Sequence, residues 1–244
     1  EMTSSLVGSE MCIRDSGKAI AIELAGKDTN IVINCVNNVD KLNEVKSIIE
    51  EKGSVCETFI GDMGNYSDVQ KMFDMCLQRF GQVDVLINNA GISVVGLFQD
   101  MGENEWHRIC NTNIDSVFNC CHFAVKDMMK RHCGKIINIS SVWGLYGASC
   151  EVAYSATKGA VNSFTKALAK ELAPSGIQVN AVACGAIDTE MNGHLSDDDK
   201  ASLAEEIPAG RFGSPQEVAK LVKSLSGMNS YLTGQIITLD GGWI

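Results

Sequence analysis

Short unbroken apolar runs alternate along this chain with longer stretches whose apolar positions recur at helical spacing. The runs IVINCV (31–36), SVCETFIG (54–61), VDVLIN (83–88), KIINIS (135–140), IQVNAVA (177–183) and QIITLD (235–240) read as strands. The intervening stretches read as helices over 18–25, 39–52, 66–80, 103–131, 152–172 and 215–224. Strands that are apolar on both faces, each followed by an amphipathic helix, specify a parallel sheet covered on both sides. The expected fold class is therefore α/β, a doubly wound parallel sheet in three α/β/α layers. No repeat, low-complexity segment or linker divides the chain, so one domain is expected.

Composition adds exclusions. A formal charge of −10 gives no general attraction to nucleic acid or to an anionic membrane. No apolar run approaches the roughly 20 residues of a membrane span. Ten cysteines are scattered without a CxxC pair, and no signal peptide is evident, so free thiols in a cytoplasmic protein are expected. His107, His122, His132 and His194 show no metal-ligand spacing, and no metal is expected.

One stretch carries chemistry. Ser141 follows directly on the strand KIINIS, Tyr154 comes thirteen residues later and Lys158 four after that. Tyr154 and Lys158 share a helix, and positions four apart lie on one face. A phenol with an ordinary pKa of about 10 is a poor acid at neutral pH. An ammonium beside it favours the phenolate, so Lys158 is expected to lower the Tyr154 pKa. A tyrosine–lysine pair at this spacing is also compatible with a solvated helix face. The serine upstream, the preceding apolar strand and the alanine-rich helix select the chemical reading.

With that constellation the chain, from Gly17 to Ile244, resembles the short-chain dehydrogenase/reductases, which have a Rossmann-type fold. The resemblance implies hydride transfer from a nicotinamide to a ketone carbon while Tyr154 protonates the developing alkoxide. It gives Lys158 the nicotinamide ribose as well as the phenol, Ser141 the substrate oxygen, and Asn113 of NTNIDSVF a distorted helix and a proton-relay water. For the cofactor it implies Gly17 as the last glycine of the phosphate loop and Asp62 of GDM at the adenine, where capping of the next helix is the rival reading. Asn89, Ala90 and Gly91 of the NNAG string would lie beside the adenine ring. Gly185, Ile187 and Thr189 of CGAIDTEM would fold over the nicotinamide, although Cys184 stands where the family has proline. At the end of the second strand, Asn34, Cys35, Val36, Asn37 and Asn38 include no carboxylate to oppose a 2′-phosphate. NADPH is therefore the expected cofactor, with Asn37 at the ribose, although no arginine replaces the missing acid.

The first sixteen residues depart from the family. Its TGxxxGxG loop would end on Gly17, but Asp15 and Met11 occupy the earlier glycine positions and Glu10 replaces the threonine. Gly8 and Ser9 are expected to interrupt the first strand. The segment SLVGSEMCIRDS (5–16) resembles the in-frame translation of a transposase-type sequencing adapter, so residues 1–16 are expected to be non-native and 17–244 to form the domain. Asp15 would also set a carboxylate against the cofactor phosphates.

The body, including IPAGRFGSPQEVA and DGGW, is most like 3-oxoacyl carrier-protein reductases, which implies an acyl carrier protein as partner. Lys130 and Arg131 are the basic residues left for such a partner, and Ser175 stands where an arginine is common. The segment WGLYGASCEVAYS resembles reductases of the 5-aminopentanone group on elongation factor P. A non-catalytic NADP-binding relative remains a third reading. Family habit implies a homo-oligomer, commonly a tetramer.

Overall fold

The computed structural model describes residues 4–9, 15–193, 195–227 and 231–244, with the backbone alone for 4–9. Seven parallel strands form one sheet in the order β3-β2-β1-β4-β5-β6-β7. They are β1 (Ser4–Ser9), β2 (Thr29–Cys35), β3 (Val55–Ile60), β4 (Val85–Asn88), β5 (Gly134–Ser141), β6 (Ile177–Cys184) and β7 (Ile236–Leu239). The helices are α1 (Asp15–Leu24), α2 (Val39–Glu51), α3 (Tyr66–Phe80), α4 (Glu103–Cys110), α5 (Ser116–Arg131), α6 (Trp143–Tyr146), α7 (Val152–Leu172), α8 (Asp197–Glu206) and α9 (Pro215–Gly227).

The period of two in the strands sorts the core into two layers. Ile31, Ile33 and Cys35 of β2 face a cluster with Ile20 of α1, Leu42, Val45 and Ile49 of α2, and Val218 and Val222 of α9. Val32 between them faces the opposite layer, where Phe73 of α3, Cys120 and Met128 of α5, and Val161 and Leu172 of α7 pack. Every residue of β6 is buried, as expected of a strand covered on both faces.

One expectation needs correction. Gly8 and Ser9 do not interrupt the first strand: Gly8 pairs with Ile33 and Ile87, and Ser9 with Asn88, at the centre of the sheet. A parallel ladder is made by main-chain groups, so a weak β-former between two strong strands still pairs. Within the helical region 103–131 a π turn at Asn111–Asp115 separates α4 from α5, and it is the distortion that the resemblance implies at Asn113. Helix α8 was not among the expected elements. It buries no residue fully, Leu203 and Ala204 being half-buried, and it is held by a capping box between Ser196 and Asp199.

Both directions of winding leave β1 and β4 adjacent, and that reversal of strand order is where open α/β sheets place their ligand crevice, at the carboxyl ends. Asn88, Ser141 and Cys184 are the last residues of β4, β5 and β6 at that edge.

Candidate active site

Ser141 is carried on the end of β5, and its Oγ accepts a hydrogen bond from the Trp143 amide at 3.2 Å. The same side chain lies near enough to the Tyr154 phenol, which projects from the first turn of α7, to favour its ionised form. Lys158, one turn further along, lies with its Nζ 5.6 Å from the centroid of the Tyr154 ring and donates to the Ile139 carbonyl at 2.9 Å. Tyr154 and Lys158 are 9% and 4% exposed, so neither group is solvated as on an ordinary helix face.

Burial dominates the electrostatics. It pushes the Tyr154 phenol well above its ordinary range, against a smaller lowering by Ser141, and the Cys184 and Glu151 charges push it further up. Burial also brings Lys158 down to about 8. The expectation that Lys158 lowers the phenol pKa is thus corrected. Desolvation of the phenol outweighs the lowering by Ser141, and the Lys158 ammonium directs a donor to the Ile139 carbonyl.

Asn113 sits in the π turn with no exposed surface. Its Oδ1 accepts from the Ile92 amide at 2.8 Å, and its Nδ2 donates to the Ile92 carbonyl at 2.9 Å and to Thr157 Oγ1 at 3.0 Å. Thr157 in turn donates to the Tyr154 carbonyl at 2.8 Å. The π turn thus falls where the Asn113 side chain reaches Ile92 and Thr157. Sequence reading missed Thr157, although its spacing of three from Tyr154 on one helix is a usable signal.

The NNAG string leaves β4 towards this cluster. Ala90 is buried, and a Cβ added to Gly91 would lie 3.2 Å from Lys158 Nζ and 3.7 Å from Asn113 Oδ1. Behind it Asn88 Nδ2 donates to Asn138 Oδ1 at 2.8 Å, locking β4 to β5 beneath the site. Gly185 lies so close to Asp240 that a Cβ would fall 2.8 Å from the Asp240 Cα. Ile187 is buried and bridges to Gly213, and the Thr189 hydroxyl donates to the Ile187 carbonyl at 3.4 Å. The Cys184 thiol, pushed up to about 12 by burial against the Lys158 charge, lies in the same pocket.

The other expected positions line the β1–β3 side of the same edge. Gly17 lies in the first turn of α1. Asn37 is exposed after β2, whereas Cys35 is wholly buried in the core. Asp62 does not cap α3, which Asn65 caps instead. The Asp62 carboxylate accepts from the Gly64 amide at 2.8 Å and from Asn111 Nδ2 at 3.2 Å. Asp15 accepts a hydrogen bond from the Glu190 amide, bringing the start of α1 against the loop that follows β6. Met11 and Glu10 lie outside the described residues, as does His194.

Arg131 is not available to a partner. Its guanidinium pairs with Asp84 at 3.0 Å and Asp127 at 2.9 Å. Burial opposes that charge, but the Asp127 and Asp84 contacts more than compensate and raise its pKa. Arg131 also donates to the Val83 carbonyl, which precedes β4 at the sheet edge opposite Ser141. The nine cysteines among the described residues are all free thiols. Among the described residues, no group of three His, Cys, Asp or Glu is placed to hold a metal, and no helix is long and apolar enough to cross a membrane.

A family model described as short chain dehydrogenase matches residues 13–200. The chain is 39% identical to the 3-oxoacyl-[acyl-carrier-protein] reductase of Staphylococcus epidermidis over 94% of both chains, and 35% identical to that of Chlamydia muridarum over 94% of this chain and 93% of the relative. Among solved structures it is similar to ElxO with NADP bound, with a TM-score of 0.89, 31% identity and 99% of both chains covered. It is also similar to an actinorhodin polyketide ketoreductase variant with NADPH, with a TM-score of 0.90, 28% identity and coverage of 99% of this chain and 97% of the other. On the strength of the matched family model and these relatives, the chain belongs to the short-chain dehydrogenase/reductase family of oxidoreductases.

Proposed function

We propose that this protein is an NADPH-dependent reductase that converts a ketone to a secondary alcohol, with a 3-oxoacyl thioester or a related tethered ketone as substrate. The observation that carries the reading is the buried cluster of Ser141, Tyr154 and Lys158, with the Lys158 Nζ 5.6 Å from the Tyr154 ring centroid, at the strand-order reversal. A nicotinamide nucleotide fits the pocket. Gly91 leaves open the space beside Lys158 Nζ that a Cβ would fill, and the segment from Gly185 to Thr189 borders it. The reduced nicotinamide supplies the electrons and the hydrogen for the carbonyl carbon. Ser141 orients the ketone oxygen, Tyr154 delivers the proton to it, and Lys158 supplies positive charge as the phenol loses that proton. Asn113 holds Ile92 and Thr157 in place around them. Gly17, Asn37, Asp62, Asn89, Ala90, Ile187 and Thr189 are assigned to the cofactor.

The phosphate end fits less well, because Asp15 brings a carboxylate to the opening of α1. That supports reading residues 1–16 as a non-native, adapter-like segment that supplies backbone for β1 but not phosphate-loop chemistry.

A second reading is reduction of the 5-aminopentanone group on elongation factor P. The locked Arg131 favours it over an acidic acyl carrier protein. A cytoplasmic homo-oligomer, a tetramer by family habit, completes the proposal; exposed Trp106 and Phe118 on α4 and α5 offer apolar surface for such contacts. A non-catalytic NADP binder would have no use for the phenol–ammonium pair.

The test is Tyr154→Phe. Ketone reduction should fall by at least about 100-fold, the low end for loss of a general acid. NADPH affinity, read by fluorescence titration, should stay within a few-fold. Substantial turnover by the variant would overturn the assignment.

A further inference from the structure

The chain leaves β7 through two consecutive glycines in the left-handed region, Gly241 at φ 69° and Gly242 at φ 82°. Side chains rarely adopt that backbone, and a Cβ on Gly241 would also fall 2.9 Å from Ile207 Cγ2. Asp240 closes the turn: its Oδ1 accepts from the Gly242 amide at 3.0 Å and its Oδ2 from the Ile244 amide at 3.1 Å. The Gly241 carbonyl accepts from the Ala209 amide at 3.1 Å, which ties the turn to the stretch after α8. Trp243, bracketed by the two Asp240 bonds, is thereby set against Trp143, with ring centroids 5.0 Å apart and planes at 65°. Both indoles are half-buried, and edge-to-face contact brings the positive rim of one ring to the negative face of the other.

Trp143 opens α6, and its amide is the donor to Ser141 Oγ. Helix α6 is only four residues long, too short to hold its own conformation, so its packing decides where it sits. Its next residue, Gly144, lies so close to α7 that a Cβ would fall 2.6 Å from the Lys158 carbonyl carbon. The Val142 amide donates to the Cys184 carbonyl and the Gly185 amide to the Leu239 carbonyl, each at 2.9 Å, so the ends of β5, β6 and β7 are laced together beneath it. A serine hydroxyl has one proton to donate and rotates freely unless a partner fixes it. By accepting from the Trp143 amide, Ser141 Oγ is held in one place while its own proton stays available for a ketone oxygen.

We propose that Trp243 is a positioning residue for the reduction: by holding Trp143 it keeps the Trp143 amide on Ser141 Oγ and so aims that hydroxyl. This rests on the reading of Ser141 as the group that orients the ketone, and it adds to the site a side chain that touches neither substrate nor cofactor.

The test compares Trp243→Ala and Trp243→Phe with the parent, using a short 3-oxoacyl thioester as the ketone. Four quantities are read: kcat, KM for the ketone, NADPH affinity by fluorescence titration, and the far-ultraviolet circular dichroism, in which two indoles in contact give a coupled pair of bands. Trp243→Ala should lose the coupled bands and lower kcat by roughly tenfold to a hundredfold, the scale for a reacting group misplaced by about 1 Å. NADPH affinity should stay within a few-fold. Trp243→Phe keeps an aromatic edge against Trp143 and should recover most of kcat without the indole bands. In a Ser141→Ala background, followed by single-turnover NADPH oxidation, Trp243→Ala should add little further loss, because residues that act as a unit are not additive. Parental kcat in Trp243→Ala, a parallel fall in NADPH affinity, or an undiminished loss in the Ser141→Ala background would overturn the positioning role and leave the reductase reading standing. If the parent reduces no ketone, the reductase reading itself fails and this inference fails with it.

Discussion

The Asn113 carboxamide bonds both the amide and the carbonyl of Ile92, at 2.8 and 2.9 Å, so one buried side chain completes the main chain of the loop leaving β4. The geometry imitates a strand partner where no strand is present, and the π turn supplies the reach. Asn113→Ala should therefore leave the half-buried Ile92 main chain and the buried Thr157 short of partners. A loss of about 2–4 kcal/mol is expected, measured by urea denaturation. Asn113→Asp keeps the acceptor for Ile92 but loses both donors and buries a charge, so it should be no milder. Wild-type stability in either variant would show that the clamp is dispensable.

Lys158 makes stability depend on pH in a direction that can be worked out. Its folded-state pKa is about 8, below the ordinary 10.5, so between those values the unfolded chain holds a proton that the folded chain has released. Stability contributed through this residue must rise with pH across that window, at most about 1.4 kcal/mol per unit. Buried thiols such as Cys56 and Cys76, both raised to about 12, act oppositely, because they ionise first in the unfolded chain. Comparison with Lys158→Met isolates the lysine: the difference in urea midpoint between the two proteins should grow in favour of the parent from pH 8 to pH 10. Parallel curves would mean that Lys158 is not held in a desolvated site.

Cofactor choice should be tested at Val36 rather than Cys35. Cys35 has no exposed surface and packs among Ile20 and Leu42, so an acid there would be buried in the core. Val36 follows β2 and is half-buried at the carboxyl edge. Val36→Asp should weaken NADPH relative to NADH by roughly tenfold or more, through repulsion of the 2′-phosphate. An unchanged ratio in titrations of both nucleotides would place the phosphate elsewhere.

The amino-terminal segment makes its own prediction. Asp15 spends its carboxylate on the Glu190 amide at the opening of α1, where a phosphate would seek the helix N-terminus. Residues 5–16 can be replaced with a family strand and TGxxxGxG loop. NADPH should then bind roughly tenfold to a hundredfold tighter for each hydrogen bond the new loop donates to phosphate, at about 1–3 kcal/mol each. Equal affinity of the two proteins would show that the segment works as it stands.

Much of the fold was legible because its signals are local. The runs ending at Asn88 and Ser140 mark strands apolar on both faces, whereas the cap of α3 was sought at Asp62 and is Asn65, three residues on. The spacing of Tyr154 and Lys158 put them on one helix face without any coordinates, because helical geometry is fixed by the backbone. Helix α8 carried only its Ser196–Asp199 cap, without the apolar stripe that marks a helix packed on the sheet.

What the sequence by itself determined was therefore the alternation of strands and helices, the strand ends that carry Ser141 and Cys184, and the order of groups along α7. The tertiary structure alone decided how those groups behave. The Tyr154 phenol moved up rather than down because the desolvation of a pocket is a sum over neighbours from several elements, none of them visible from an i, i+4 spacing. Arg131 was lost to a partner because Asp84 and Asp127, on a different element and an earlier turn, converge on it. Glu151 meets Ser93 across 58 positions of chain, and a contact of that kind exists only once the sheet has brought the ends of β4 and β5 together.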